Sequence, residues 1–322
     1  MKPSALFGLL KKNEFISIAL CTILVILLTT ASGVFWDVSN LNSLQSSIAP
    51  TAIMAFGMML LLICGYFDLS LGSTMLLAGM VAGKLTQLEA PVPVIVIGAL
   101  IAGLAVGCLN GFLVAFLKIN PLIATIGVQF AGYGLAMTIC DNSQHILFPE
   151  NFNRLGDTQF LGLYIMTWVM LILCAGITYF LRYMPAGRRL YFIGGNREAS
   201  KLIGFNDQKI LFLAYVATGL FAAIAGVLAA ARIQSPSQYM GEGIHMTCII
   251  ACVVGGASFS GGKGSAIGAV FGVAFMSLLT NTFNLLEMKP QLQNIVVGLI
   301  LVVVLCVDGY VNLKKMQRMG KI

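Results

Sequence analysis

Residues 182–209 read RYMPAGRRLYFIGGNREASKLIGFNDQK. This stretch holds six basic side chains, Arg182, Arg188, Arg189, Arg197, Lys201 and Lys209, against two acids, Glu198 and Asp207. Apolar runs long enough to cross a bilayer flank it at residues 163–181 and 210–231. A basic, structured island between two such runs points to a membrane protein that meets a partner at its cytoplasmic face. Asn196 suits a helix N-cap, Glu198 its first turn and Gly204 its end. The helix this predicts has two turns at most, too few to be stable in water. It must therefore pack on its own bundle or on a second protein.

The rest of the chain is apolar. Of its 322 residues 58% are hydrophobic and 10% charged, and its mean hydropathy is +0.93. An ordinary soluble domain is about 25% charged. Burying this much apolar surface requires lipid as the solvent. About ten spans are expected, at residues 15–35, 48–67, 73–86, 93–117, 121–140, 163–181, 210–231, 244–256, 265–286 and 292–307. The runs lack the two-residue alternation of barrel strands, so the expected fold is an all-α polytopic membrane protein. The first run is too long for a removable signal peptide and lacks a clear small-residue cleavage site.

Basic residues set the orientation. With ten spans and both termini cytoplasmic, only Lys84, Arg154, Arg232 and Lys289 of the 19 Lys and Arg fall outside. The net charge of +7 is then a positive-inside signal. Nucleic acid is not an expected partner, because the basic residues sit in short loops. No linker or charge block separates a soluble module, so residues 1–322 form a single membrane domain with a cytoplasmic loop at 184–209. Two outer loops, 141–162 and 232–243, are long enough to receive a soluble partner or to be plain connectors.

Several chemistries are missing. The stretch Ser260-Gly-Gly-Lys263-Gly-Ser265 fails as a phosphate loop, because Ala257 stands where the first glycine belongs and Gly264 follows the lysine. No HExxH, GxSxG or paired carboxylates suggest an enzyme. His145 and His245 have no ligand set nearby, and the eight cysteines lie in or beside apolar runs without a CxxC. No metal and no cofactor are expected.

Polar residues inside the apolar runs stand out. Asp68 lies in Asp68-Leu-Ser70-Leu-Gly72-Ser73, between two spans. At mid-membrane it needs a partner or water. Asp68 and Ser70 either cap the next helix at a cytoplasmic turn or line a transport path. Asn110, Gln129, Asn281 and Asn284 also need partners. They line a polar path or bond between helices. Glycine stripes at 103, 107, 111 and at 264, 268, 272 clear one helix face for close backbone approach.

Three blocks together resemble one family, from about residue 45 to 308. Glu198-Ala199-Ser200-x3-Gly204 is similar to the coupling-loop motif of ABC importer permeases, and Gly187-Arg188 with Ile193-Gly194-Gly195-Asn196 narrows this to the ribose/galactose/xylose type. Asp68-Leu-Ser-Leu-Gly-Ser73 resembles that family's Asp-Leu-Ser-Val-Gly-Ser. Val254-Gly-Gly-Ala-Ser258 with Ser260-Gly-Gly-Lys-Gly264 resembles its Gly-Gly-Thr-Ser stretch, and Asn281-Thr-Phe-Asn284 falls where that family has an Asn-rich segment.

The resemblance implies a permease of the bacterial cytoplasmic (inner) membrane with no enzyme activity. It would work with a second permease copy or homologue, two cytoplasmic ATP-binding subunits and an extracytoplasmic solute-binding protein. ATP would bind the partner subunits and not this chain. Arg188, Gly195, Asn196, Glu198, Ala199, Ser200 and Gly204 would form the ATPase contact. Asp68, Ser70, Asn110, Gln129, Asn281 and Asn284 would serve the translocation path of a sugar or related polar solute. The family's Glu-Leu-Asp run is replaced by His245-Met246-Thr247, Tyr66-Phe67 replaces a small aliphatic pair, and Ser200 replaces Ala. The rival reading is an ion-gradient-driven secondary transporter or channel, for which Asp68 is the one plausible intramembrane acid.

Overall fold

The computed structural model describes residues 12–31, 33–139, 146–195, 200 and 206–318. Among these the chain is helical apart from loops and one two-residue hairpin, β1 (Gln159–Phe160) with β2 (Leu163–Tyr164). The helices are α1 (Lys12–Ala31), α2 (Val38–Ile63), α3 (Leu71–Gln87), α4 (Val92–Gly111, continued by a π-helical turn Phe112–Phe116), α5 (Pro121–Ile139) and α6 (Glu150–Asp157). They continue with α7 (Ile165–Tyr183), α8 (Pro185–Gly195), α9 (Asp207–Ile233), α10 (Ile244–Val254), α11 (Ala266–Leu285) and α12 (Pro290–Arg318). Each of the ten expected apolar runs is a helix. Seven among the described residues are long and apolar enough to cross a membrane: α2, α4, α5, α7, α9, α11 and α12. α1 and α10 contribute shorter apolar stretches, Ser17–Thr30 and Ile244–Val254.

α2 is the axis of the bundle, buried at every residue from Ala49 to Ile63. α9 lies beside it, with Tyr215 and Ala222 fully enclosed. α4 packs on α9 through its glycine stripe. A Cβ at Gly107 would lie 2.7 Å from the Tyr215 carbonyl oxygen, and one at Gly111 would lie 2.8 Å from the Phe212 ring. In lipid no hydrophobic force separates helix from solvent, so close packing of this kind supplies much of the association. The second stripe does the same for α11, whose Gly268 and Gly272 meet the Gly255 and Ala251 carbonyls of α10 and its C-terminal turn. Two helices start on side-chain caps. Asn206 accepts from the Lys209 amide at 3.0 Å to start α9, and Ser265 accepts from the Gly268 amide at 3.0 Å to start α11.

Two differences from the expected organisation matter. The span expected over 48–67 stops being helical at Ile63, and residues 64–70 cross part of the bundle as irregular backbone before α3 begins. This segment is not an exposed turn, because Asp68, Leu69 and Ser70 are all buried. Irregular backbone at membrane depth is tolerated only where protein or a water-filled cavity surrounds it. In the basic island a helix that the sequence reading did not expect, α8, runs over Pro185–Gly195; of the helix expected after Asn196 only Ser200 is described, and it is helical. Pro185 fits a first helical position, where no amide partner is needed. Asn196, Glu198, Ala199 and Gly204 lie outside the described residues.

Candidate translocation and coupling site

The break at 64–70 is held by a closed polar cluster. Asp68 Oδ1 accepts from the Ser70 amide and from the Ser70 hydroxyl, both at 2.7 Å. Asn110 Nδ2, from the C-terminal end of α4, donates to Asp68 Oδ2 at 3.2 Å and to Ser70 Oγ at 2.7 Å. Asp68 is 2% exposed, and Ser70 and Asn110 are fully buried. Around them the Leu69 amide donates to Thr125 Oγ1 of α5 at 3.1 Å, and the Tyr215 hydroxyl of α9 donates to the Phe67 carbonyl at 2.9 Å. Three segments distant in sequence, α4, α5 and α9, thus fasten one broken strand of backbone. Ser70 occupies the N-cap position of α3, but its side chain does not cap; it turns back to Asp68. The expected cap geometry is corrected accordingly.

A second broken segment, residues 234–243, leads from the end of α9 to the start of α10. The two breaks meet where Gly72 touches Gly241. A Cβ built on Gly241 would lie 2.9 Å from the Gly72 Cα. Their depth follows from the register of α3 on α9. Gly226 of α9 faces Met75 and Gly79 of α3 faces Ala230, so the two helices run parallel and Gly72 lies level with Ala223. Ala223 is ten residues before Ile233, or about 15 Å at 1.5 Å per residue. That is about half of a ~30 Å hydrocarbon core. Two half-helices, α3 and α10, therefore start near mid-membrane with their N-termini together, an arrangement in which discontinuous helices build solute sites.

Beside this junction is a cavity of about 350 Å³. Gln129 of α5 lines it, with Tyr133, Gln238, Tyr239 and Glu242. The six path candidates thus fall in three places. Asp68, Ser70 and Asn110 form the sealed cluster, and Gln129 faces the cavity. Asn281 and Asn284 lie near the far end of α11. Asn281 exchanges amide bonds with Asn40 of α2 at 2.6 and 3.4 Å, and Asn284 accepts from Gln293 of α12 at 3.1 Å.

At the opposite end of the bundle, α8 lies against both routes into the membrane. Its Gly187, Leu190 and Ile193 are buried while Arg188 is exposed. Gly194 abuts the Ile63 carbonyl, the last helical residue before the first break, and its added Cβ would lie 2.6 Å from the Gly262 nitrogen. The Gly262 amide donates to that same Ile63 carbonyl at 2.8 Å, and the Tyr191 hydroxyl donates to the Gly264 carbonyl at 2.8 Å. Gly261 and Gly262 have φ of +82° and +73°, which only glycine adopts readily. The failed phosphate loop is thus a backbone saddle for α8. Ser200 is buried and donates to Asp207 Oδ1 at 2.6 Å, tying the island to the start of α9. Gly195 is exposed, and no described residue lies within 4 Å of a Cβ added there.

Sequence reasoning passed over Tyr215, Thr125, Tyr191, Gln238, Tyr239 and Glu242. Tyr215 carried a usable signal, since a hydroxyl inside an apolar run needs a partner. Glu242 sat in a loop read as external.

Residues 40–305 match the family described as the permease component of the branched-chain amino acid transport system. The chain is 33% identical to the ribose import permease protein RbsC of Escherichia coli, over 89% of this chain and 91% of that one. It is 30% identical to RbsC of Haemophilus influenzae, over 96% of each. It is 28% identical to the autoinducer 2 import system permease protein LsrC of Photorhabdus luminescens, over 94% of this chain and 91% of that one. No solved structure matches. This chain belongs to the family of membrane permease components of that transport system, alongside the import permeases for ribose and autoinducer 2.

Proposed function

We propose that this chain is the membrane-spanning permease of an ATP-driven importer that passes a sugar or related polar solute into the cell. Cytoplasmic ATP-binding subunits supply the energy, an extracytoplasmic binding protein delivers the solute, and a second permease copy or homologue completes the path in the bacterial inner membrane. The observation that carries this reading is the match over residues 40–305, joined to a basic island whose helix α8 lies against the first break and its saddle.

Ten traversals with both termini cytoplasmic fit the contacts. Near the start of α1, Ser17 donates to the Val254 carbonyl at 2.7 Å. Near the end of α12, Asp308 accepts from the Ser258 hydroxyl and the Phe259 amide. Both contacts lie at the island end of the bundle, where Lys118, Lys209 and Lys263 also fall. Arg232, Arg154 and Asp157 mark the other end.

In mechanism, the ATPase contact comprises Arg188, Gly195, Asn196, Glu198, Ala199, Ser200 and Gly204. Motion there reaches the bundle through α8, which presses on Ile63 and on the loop that follows α10. Both lead directly into elements bordering the mid-membrane junction. Asp68, Ser70 and Asn110 keep the first break rigid so that displacement is transmitted and not absorbed. Gln129 faces the solute, and Asn281 and Asn284 stand at the outer mouth. The test is Gly204→Trp in the assembled importer. Membrane insertion is expected to persist while solute imported per ATP hydrolysed falls; normal import by this variant would remove the coupling assignment.

A further inference from the structure

The cavity at the meeting point of the two half-helices has a chemistry of its own. Its volume of about 350 Å³ is at the small end of the range for small-molecule sites. Four polar side chains line it, Ser73, Gln129, Gln238 and Glu242, with three aromatic rings, Phe130, Tyr133 and Tyr239. The rim opens away from the chain: Phe130 is 75% exposed and Tyr239 68%. Yet the junction lies near mid-membrane, where a carboxylate and two amides facing hydrocarbon are costly. The opening therefore faces water. Neither Lys nor Arg lines the cavity, and Glu242 is an acceptor-only group when ionised. Such a wall suits hydroxyl donors and repels anions, while the amides both donate and accept. Aromatic faces suit the C–H surface of a small ring.

Building on the importer reading, we infer that this cavity is a station on the translocation path for a neutral, polyhydroxylated solute of monosaccharide size, with Glu242 excluding anionic analogues and Tyr239 closing over the ring. Because the station is built where α3 and α10 begin, any shift of either half-helix reshapes it.

The test uses the complete importer, with its ATPase and binding protein, in proteoliposomes. Tyr239→Cys is labelled with a cationic and an anionic methanethiosulfonate, and labelling of the unsubstituted chain is subtracted. With each rate divided by that of the same reagent with free 2-mercaptoethanol, the cationic reagent is expected to react about tenfold faster, equivalent to ~1.4 kcal/mol. Adding Glu242→Gln should level the two rates. D-ribose should slow labelling and D-ribonate should not. Gln238→Cys, scored in the same way, replaces the first variant should Tyr239→Cys fail to fold. No labelling by either reagent would mean that the face meets lipid, and would overturn the station. So would equal rates before Glu242 is changed, or protection by ribonate as strong as that by ribose. Labelling is read without import. An importer that labels as described but does not take up solute with ATP would sink the functional reading and leave the station standing.

Discussion

Two adjacent glycines make opposite predictions. An added methyl at Gly194 would lie 2.6 Å from the Gly262 nitrogen and closer still to the Ile63 carbonyl oxygen, both backbone atoms. Ordinary van der Waals contact begins at 3.4 Å, so α8 or its saddle must retreat by about 0.8 Å at the Gly262 nitrogen and by more at the Ile63 oxygen. That retreat disturbs two hydrogen bonds, Gly262 to Ile63 and Tyr191 to Gly264, each 2.8 Å long. Overpacking costs about 1–3 kcal/mol, and each hydrogen bond contributes about 0.5–1.5 kcal/mol. Gly194→Ala should therefore lose roughly 2–6 kcal/mol. Among the described residues nothing lies within 4 Å of a Cβ added at Gly195, so Gly195→Ala should stay within about 0.5 kcal/mol of the parent. Thermal unfolding of the detergent-purified chain reads both: the melting temperature should fall by several degrees for Gly194→Ala and hold for Gly195→Ala. Equal stability of the two variants would refute the seating of α8 on its saddle.

Asp68→Ala removes the acceptor of the buried Ser70 amide and should cost about 1–3 kcal/mol, lowering the amount of folded chain in the membrane. Asp68→Asn keeps one oxygen for Ser70 and should fold better than the alanine variant; the reverse order would contradict the cluster. If Asn281 acts by bonding Asn40, then import lost in Asn281→Leu should return in Asn40→Leu/Asn281→Leu, since one unpaired amide is worse than none. A double variant no better than the single one would place Asn281 in contact with solute. Arg232→Gln breaks bonds to Ser46, Asp157 and Tyr164 at the end of the bundle away from α8, and because the site is half open the loss should be only about 1 kcal/mol in thermal unfolding.

The helices were legible because hydropathy and length alone specify them in a bilayer, and all ten apolar runs became helices. The glycine stripes told which faces pack but not on what, and the structure supplies α9 and α10 as the partners. The carboxylate of Asp68 announced its need for partners, and Asn110, 42 residues away, supplies one. That pairing depends on α4 returning beside the broken segment, which no local pattern encodes. The second break was invisible for the same reason. Residues 234–243 have the composition of a solvated loop, and only the contact of Gly241 with Gly72 shows them dipping to mid-membrane. Helix α8 was missed because its apolar residues are sparse and its stability comes from the Ile63 and Gly262 backbone and not from its own propensity.

The central claim is that ATP hydrolysis by partner subunits, and not an ion gradient, drives solute through this permease. The direct measurement is uptake of radiolabelled solute into liposomes, comparing this chain alone under a proton or sodium gradient with the chain joined to its ATPase and binding protein. Uptake only in the second case, and only with ATP inside the compartment that the island faces, is the expected result. Uptake by the chain alone under either gradient would contradict it.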